Sequence, residues 1–171
     1  MIPIMMHKIL NKKIEIVLLV FMIFLIISGI TAFPLEQELR ILLGFKAYFP
    51  SSITIWLQMV YDAIVVTNNQ YPFISYGTDW LAFAHIVIAV VFIGPLRNPV
   101  RNIWVIQFGM IACIMILPLA IICGYMRQIP LFWQLIDCSF GLIGFVPLFI
   151  CYKWTKQLEL LTLNIQQHEK K

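Results

Sequence analysis

The chain has 171 residues, of which 61% are apolar and only 12% charged, with a formal charge of +4 and a mean hydropathy of +0.91. Soluble domains carry ~45–50% apolar and ~25% charged residues, so this composition excludes a water-soluble fold. It also argues against a nucleic-acid-binding module, because the basic residues flank apolar runs and build no basic domain of their own.

Residues 14–33 (IEIVLLVFMIFLIISGITAF) form the first long apolar run, with Glu15 its one charge. About 20 residues cross ~30 Å of hydrocarbon at ~1.5 Å rise each, so the run is long enough to be a transmembrane helix. Lys8, Lys12 and Lys13 precede it, as they would a signal peptide. The apolar stretch exceeds the usual ~7–15 residues and has no clear Ala-x-Ala site, so a retained anchor is expected.

The segment 34–78 is rich in apolar residues itself. Leu35, Leu39, Leu42 and Leu43 fall on one helical face, and Glu36 and Arg40 stand four apart, the spacing of a favourable ion pair. After Pro50 and Ser51-Ser52 comes ITIWLQMVYDAIVV, where Thr54, Gln58 and Asp62 mark a polar stripe. Both pieces read as interfacial helices. A further span over 53–66 would reach only ~21 Å and would reverse every later segment.

The second span is expected at 79–96, with Thr78 or Asp79 as its cap and Pro95, Arg97 and Pro99 at its end. A tight turn over Arg97-Asn98-Pro99-Val100-Arg101 leads into the third span, 102–125. Met126-Arg127-Gln128-Ile129-Pro130 then connects to the fourth, 131–152, with Pro130 at its start. Pro118 and Pro147 predict packed kinks inside the last two spans. Residues 153–171 read as a tail extending the fourth helix, with Trp154, Leu158, Leu161 and Ile165 at helical spacing; a solvated helix end is expected before a membrane- or partner-binding stripe.

Orientation follows from the basic residues. With the N-terminus inside, nine lie on inner segments (Lys8, Lys12, Lys13, Arg97, Arg101, Lys153, Lys156, Lys170 and Lys171) and three on outer ones (Arg40, Lys46 and Arg127). Tyr71, Tyr76, Trp80 and Trp133 then sit at the outer interface, and Trp104, Tyr152 and Trp154 at the inner one. The expected fold is an all-α integral membrane protein: a compact bundle of about four transmembrane helices, N-in/C-in, with amphipathic interfacial helices in the first outer loop. All of 1–171 forms a single membrane domain, placed in the plasma or inner membrane with both termini cytoplasmic.

None of the motifs GxGxxG, GxxxxGK[ST], HExxH or GxSxG is present. The informative residues are the ionisable ones inside the spans, since such groups mark a site or pair with one another. His85 and Asp137 each lie six residues in from an outer helix end, ~9 Å deep. His85 shares its face with Ala82 and Ala89, and Asp137 with Gly141 and Gly144. Small residues line helix contacts in membranes, so both polar groups are expected to point inward. A hydrogen-bonded His85/Asp137 pair is the sharper expectation, with Asp79, Arg127 and Gln134 at its mouth as candidate substrate-binding groups; the blander one is a bond that only locks two helices.

Asp79 alone reads more simply as a helix cap. Cys113, Cys123, Cys138 and Cys151 show no ligand spacing and read as small buried apolar residues. Haem ligation by two histidines has no support, because His7 and His168 lie in the tails. No metal and no cofactor are expected.

Asp79 and His85 opening the second span, with the Asp137-Cys-Ser-Phe-Gly141-Leu-Ile-Gly144 pattern in the fourth, resemble small VanZ-like membrane proteins. The Asp-to-His spacing is longer than that family's, and Gly141 stands where a polar residue would be expected. The resemblance covers two short patches and carries over no function. The expected role is a non-enzymatic accessory or lipid-adapted binding component, with membrane lipid and a membrane-protein partner or second copy as its associates, and no nucleic acid. The alternative is a small membrane enzyme or transporter using His85 and Asp137 at the outer leaflet; the sequence leaves enzymatic status open between them.

Overall fold

Between Ile4 and Ser28 the chain has neither proline nor glycine, so nothing interrupts a helix there. In a computed structural model, which describes the backbone of residues 2–169 and the side chains of 5–164, this stretch lies within one helix, α1 (Ile2–Ala32). Pro34 then ends it, since a proline restricts the residue before it to non-helical backbone.

Two shorter elements follow, α2 (Leu35–Gly44) and a 3-10 turn at Lys46–Tyr48, before α3 (Ser51–Gln70). Pro72 occupies the first position of α4 (Pro72–Val91), where its missing N–H costs nothing. A turn at Phe92 separates α4 from α5 (Ile93–Arg97), because Pro95 cannot donate to the carbonyl four residues back. The last two helices are α6 (Ile103–Met126) and α7 (Leu131–Glu169). Among the described residues there is no strand.

Among the described residues four stretches are long and apolar enough to cross a membrane: Met5–Ala32, Pro72–Arg97, Ile103–Met126 and Leu131–Asn164. Only 17–22% of the residues in their most apolar windows are buried inside the protein. Ile23, Phe24, Leu119 and Ile143, among others, present their side chains outward, which water would penalise and lipid does not. The 20 residues of α3 would reach ~30 Å, so length does not keep this helix from spanning. Its polar stripe and its Thr67-Asn68-Asn69-Gln70 end set it apart from the other four.

Residue contacts divide the chain into two units, Met1–Met22 with Val91–Lys171, and Ile23–Val90. In the first, α6 and α7 form an antiparallel hairpin that closes on glycines. A methyl group at Gly141 would lie 2.6 Å from the Cys113 carbonyl oxygen, one at Gly144 would lie 2.9 Å from the Cys113 sulfur, and one at Gly109 would meet both Phe92 and Leu148 inside 3 Å. Backbones this close exchange dispersion contacts that larger residues would prevent. The start of α1 runs antiparallel to the end of α7: Lys13 lies over the Trp154 ring, Cys151 Sγ is 3.9 Å from the Ile14 carbonyl, and Phe21 neighbours Gly144.

Along this line Leu10, Ile14 and Leu18 of α1 are buried, as are Leu148, Cys151, Thr155 and Leu158 of α7. The helix does continue through Lys153, as the spacing of the tail led us to expect, but its start is not solvated: Thr155 and Leu158 are core residues. The side chains of Ile165 and His168, and all of Lys170 and Lys171, lie outside the described residues. The Thr155 hydroxyl is fully buried without a hydrogen-bond partner, a state that costs ~1–3 kcal/mol. Thr155→Val keeps the shape and removes the orphan group, so it should raise the midpoint of thermal unfolding in detergent. A lowered midpoint would show that the hydroxyl is bonded after all.

In the second unit, the end of α1 packs on α4 where Gly29 meets the Ala82 carbonyl, Ile86 and His85. A methyl there would sit 2.8 Å from that carbonyl. Leu39 of α2 and Leu57 of α3 are buried, and the two helices pack together. Glu36 does not pair with Arg40, as the four-residue spacing led us to expect. Its carboxylate accepts a 2.6 Å bond from the Asn68 amide of α3 instead.

Candidate functional site

Asp137 lies in the second turn of α7, facing a groove of about 280 Å³ between that helix and α6. Ile116, Leu119, Ala120, Cys123 and Gly124 supply the α6 wall, with Arg127 and Ile129 at the hairpin end. Close contacts lie at either end of it: Gly124 meets Gln134 at one and Cys113 meets Gly141 at the other.

The turn that carries Arg127 is tightly specified. Gln128 adopts a left-handed φ of 55°, Ile129 N–H donates to the Gly124 carbonyl at 2.9 Å, and Gln128 N–H to that of Tyr125 at 3.2 Å. This pairing closes a helix C-terminus and is usually built on glycine. Gln134 completes it, its side-chain amide donating to the Ile129 carbonyl at 2.7 Å. Gln134, a candidate binding group by sequence, is thus occupied in holding the turn.

Among the described residues the one ion pair is Lys156–Glu159. Arg127 and Asp137 therefore share a groove without neutralising each other, and no hydrogen bond from another described residue reaches the Asp137 carboxylate. The four cysteines are free; Cys113 and Cys151 are buried as read from sequence and Cys138 is half-buried, but Cys123, expected to be buried, is exposed on the groove wall. No family model, curated protein or solved structure matches this chain. The VanZ-like likeness accordingly rests on its two short patches alone.

His85 and Asp79 belong to the unit formed by 23–90, on α4. His85 is half-buried, its Nδ1 2.9 Å from the Leu81 carbonyl. A carbonyl only accepts, so this bond needs the proton on Nδ1 and leaves Nε2 as the unengaged nitrogen. The alanines sharing its face, Ala82 and Ala89, are buried as the small-residue argument requires. Asp79 is not a cap: α4 begins at Pro72, and Asp79 is half-buried within the helix. Thr78 donates to the Ser75 carbonyl at 2.7 Å, a bond inside a helix rather than at its start. The structure does not seat His85 and Asp137 in the same unit.

Sequence reasoning missed a polar chain in this unit. Ser75 of α4 donates to the Asn68 side-chain oxygen, and Asn68 donates to Glu36, joining α4, α3 and α2. The available signal was the amide run Asn68-Asn69-Gln70 closing an otherwise apolar segment. A second, more open groove of about 470 Å³ runs beside Lys46, Thr54, Gln58 and Asp62. Its stripe is largely self-satisfied: Gln58 donates to Asp62 at 2.9 Å, and Thr54 donates to the Pro50 carbonyl at 3.3 Å. Among the described residues no group of three or more His, Cys, Asp or Glu side chains is placed to hold a metal ion.

Proposed function

We propose that this chain works by binding rather than by catalysis, as a lipid-adapted or accessory membrane component whose α6–α7 groove holds part of an amphiphile. The observation that carries this reading is an apolar groove between two span-length helices with an unengaged carboxyl group, Asp137, on its wall. A polar group at that depth is costly and usually functional. The groove falls just below the ~300–1,000 Å³ of ordinary small-molecule pockets, which suits one acyl chain better than a bulky polar substrate.

The test is lipid counting by native mass spectrometry after release from nanodiscs. Wild-type protein should retain one lipid more than Ala120→Trp, whose indole fills the groove, while His85→Ala should retain the wild-type number. Equal retention by wild type and Ala120→Trp would remove the groove from consideration.

In the same reading the chain is N-in/C-in in the plasma or inner membrane, with α2 and α3 at the outer surface, supported by the nine-to-three division of basic residues. A cysteine placed at Val100 in a cysteine-free background should then react with an impermeant reagent only after cells are broken. Labelling of intact cells would reverse the orientation. A membrane-protein partner or second copy is the natural associate of the outward apolar faces.

A second reading, a membrane enzyme or transporter, gives proton-transfer work to His85 and Asp137. It is favoured by the free Nε2 of His85 and the unengaged Asp137 carboxyl. It requires His85→Ala and Asp137→Ala to abolish an activity while leaving expression intact.

A further inference from the structure

We infer that the occupant of the α6–α7 groove is an anionic glycerophospholipid, with its phosphate on Arg127 and an acyl chain along the α6 wall. This rests on the binding reading above and names its ligand.

Three observations lead to it. The first is length: from Ile116 to Arg127 the lining of α6 extends over ~16 Å at ~1.5 Å per residue, close to the ~15 Å of hydrocarbon in one leaflet. A soluble anion has no use for such a wall, whereas a lipid tail matches it.

The second is the order of charge. Arg127 stands at the helix end, where head groups lie, and Asp137 lies deeper, six residues into α7. A phosphate is attracted to the first and finds no second cation deeper in the lining, so the groove favours the lipid with its head group at the mouth and its chain inward.

The third is preparation. Arg127 has no ion-pair partner among the described residues, so its guanidinium is available to two phosphate oxygens at once. The backbone beneath it is already fixed, with Arg127 N–H on the Cys123 carbonyl at 2.9 Å and the Ile129 carbonyl held by Gln134 at 2.7 Å. Binding then orders one side chain rather than a loop, which keeps its entropic cost small.

The experiment compares lipids retained from nanodiscs containing phosphatidylglycerol and phosphatidylcholine in equal parts. Wild-type protein should retain phosphatidylglycerol over phosphatidylcholine by about tenfold, the scale of one charge-assisted contact. Arg127→Gln should bring the ratio near one and Arg127→Lys should keep part of it. Arg101→Gln, at the opposite end of α6, should change nothing. Unchanged preference in Arg127→Gln, or an equal loss in Arg101→Gln, would overturn the inference by showing a diffuse charge effect. A retained lipid without head-group preference, still lost in Ala120→Trp, would overturn it while leaving the binding reading intact. Retention of no groove lipid at all would end both. Thermal midpoints of the arginine variants within a few degrees of wild type show that each is folded.

Discussion

Gly141→Val should prevent the α6–α7 hairpin from closing, and the protein should fail to accumulate in the membrane. The cause is a backbone contact rather than a side-chain one. Even the first added carbon would stand 2.6 Å from the Cys113 carbonyl oxygen and 3.4 Å from the Ile116 Cβ, and a carbonyl held in a helix cannot rotate away. Gly141→Ala should fold but lose ~1–3 kcal/mol as the helices are forced apart, read as a lowered midpoint in an SDS titration from mixed micelles. Gly77→Ala is the matched control, because a methyl there meets nothing within 4 Å. Relief of glycine's cost inside a helix should make it more stable by ~0.5–1 kcal/mol. A Gly141→Ala protein as stable as the Gly77→Ala one would disprove the close approach.

Phe92→Ala should cost ~3–5 kcal/mol, as expected when a buried aromatic is truncated to leave a cavity. Phe92 is completely buried, its ring 5.0 Å from that of Phe21 and pressed against Gly109. It joins α1, the α4–α5 turn and α6 at once. The same SDS titration reads the loss, and Phe92→Leu should recover roughly half of it because a branched aliphatic group refills part of the volume. A loss under ~1 kcal/mol would place Phe92 outside the packed interior.

These two residues also mark what the sequence did and did not disclose. Gly141 was legible, since small residues beside an intramembrane Asp imply a helix contact, and the contact is with Cys113. Phe92 was not, because one phenylalanine among outward-facing apolar residues carries no pattern of its own. The spans themselves were legible from long uninterrupted apolar runs, whose backbone can satisfy its hydrogen bonds only within a helix.

Element starts were less so. Gly77 and Thr78 look like a helix boundary, yet α4 begins at Pro72, because proline at a first turn is a stronger start than glycine is a stop. Likewise α3 runs four residues past the apolar stretch that announced it, through Thr67-Asn68-Asn69-Gln70. Asn68 is spent there on Glu36 and Ser75, a tertiary bond that no local spacing encodes. Of the candidate site, Asp137 and Arg127 do share a groove; the Gln134 amide is bonded to a backbone carbonyl five residues away, a contact that no sequence pattern announces.

At the far end of the α1–α7 contact, two ammonium groups rest on aromatic faces, Lys13 at 5.6 Å from the Trp154 centroid and Lys153 at 4.7 Å from that of Phe149. In a bilayer such paired groups act as a waterline. A downward slide of either helix would drag a cation into oil, and an upward slide would strip a ring from its resting level. The Lys13–Trp154 contact joins the two helices at this level, so in a bilayer a slide of one past the other would break it.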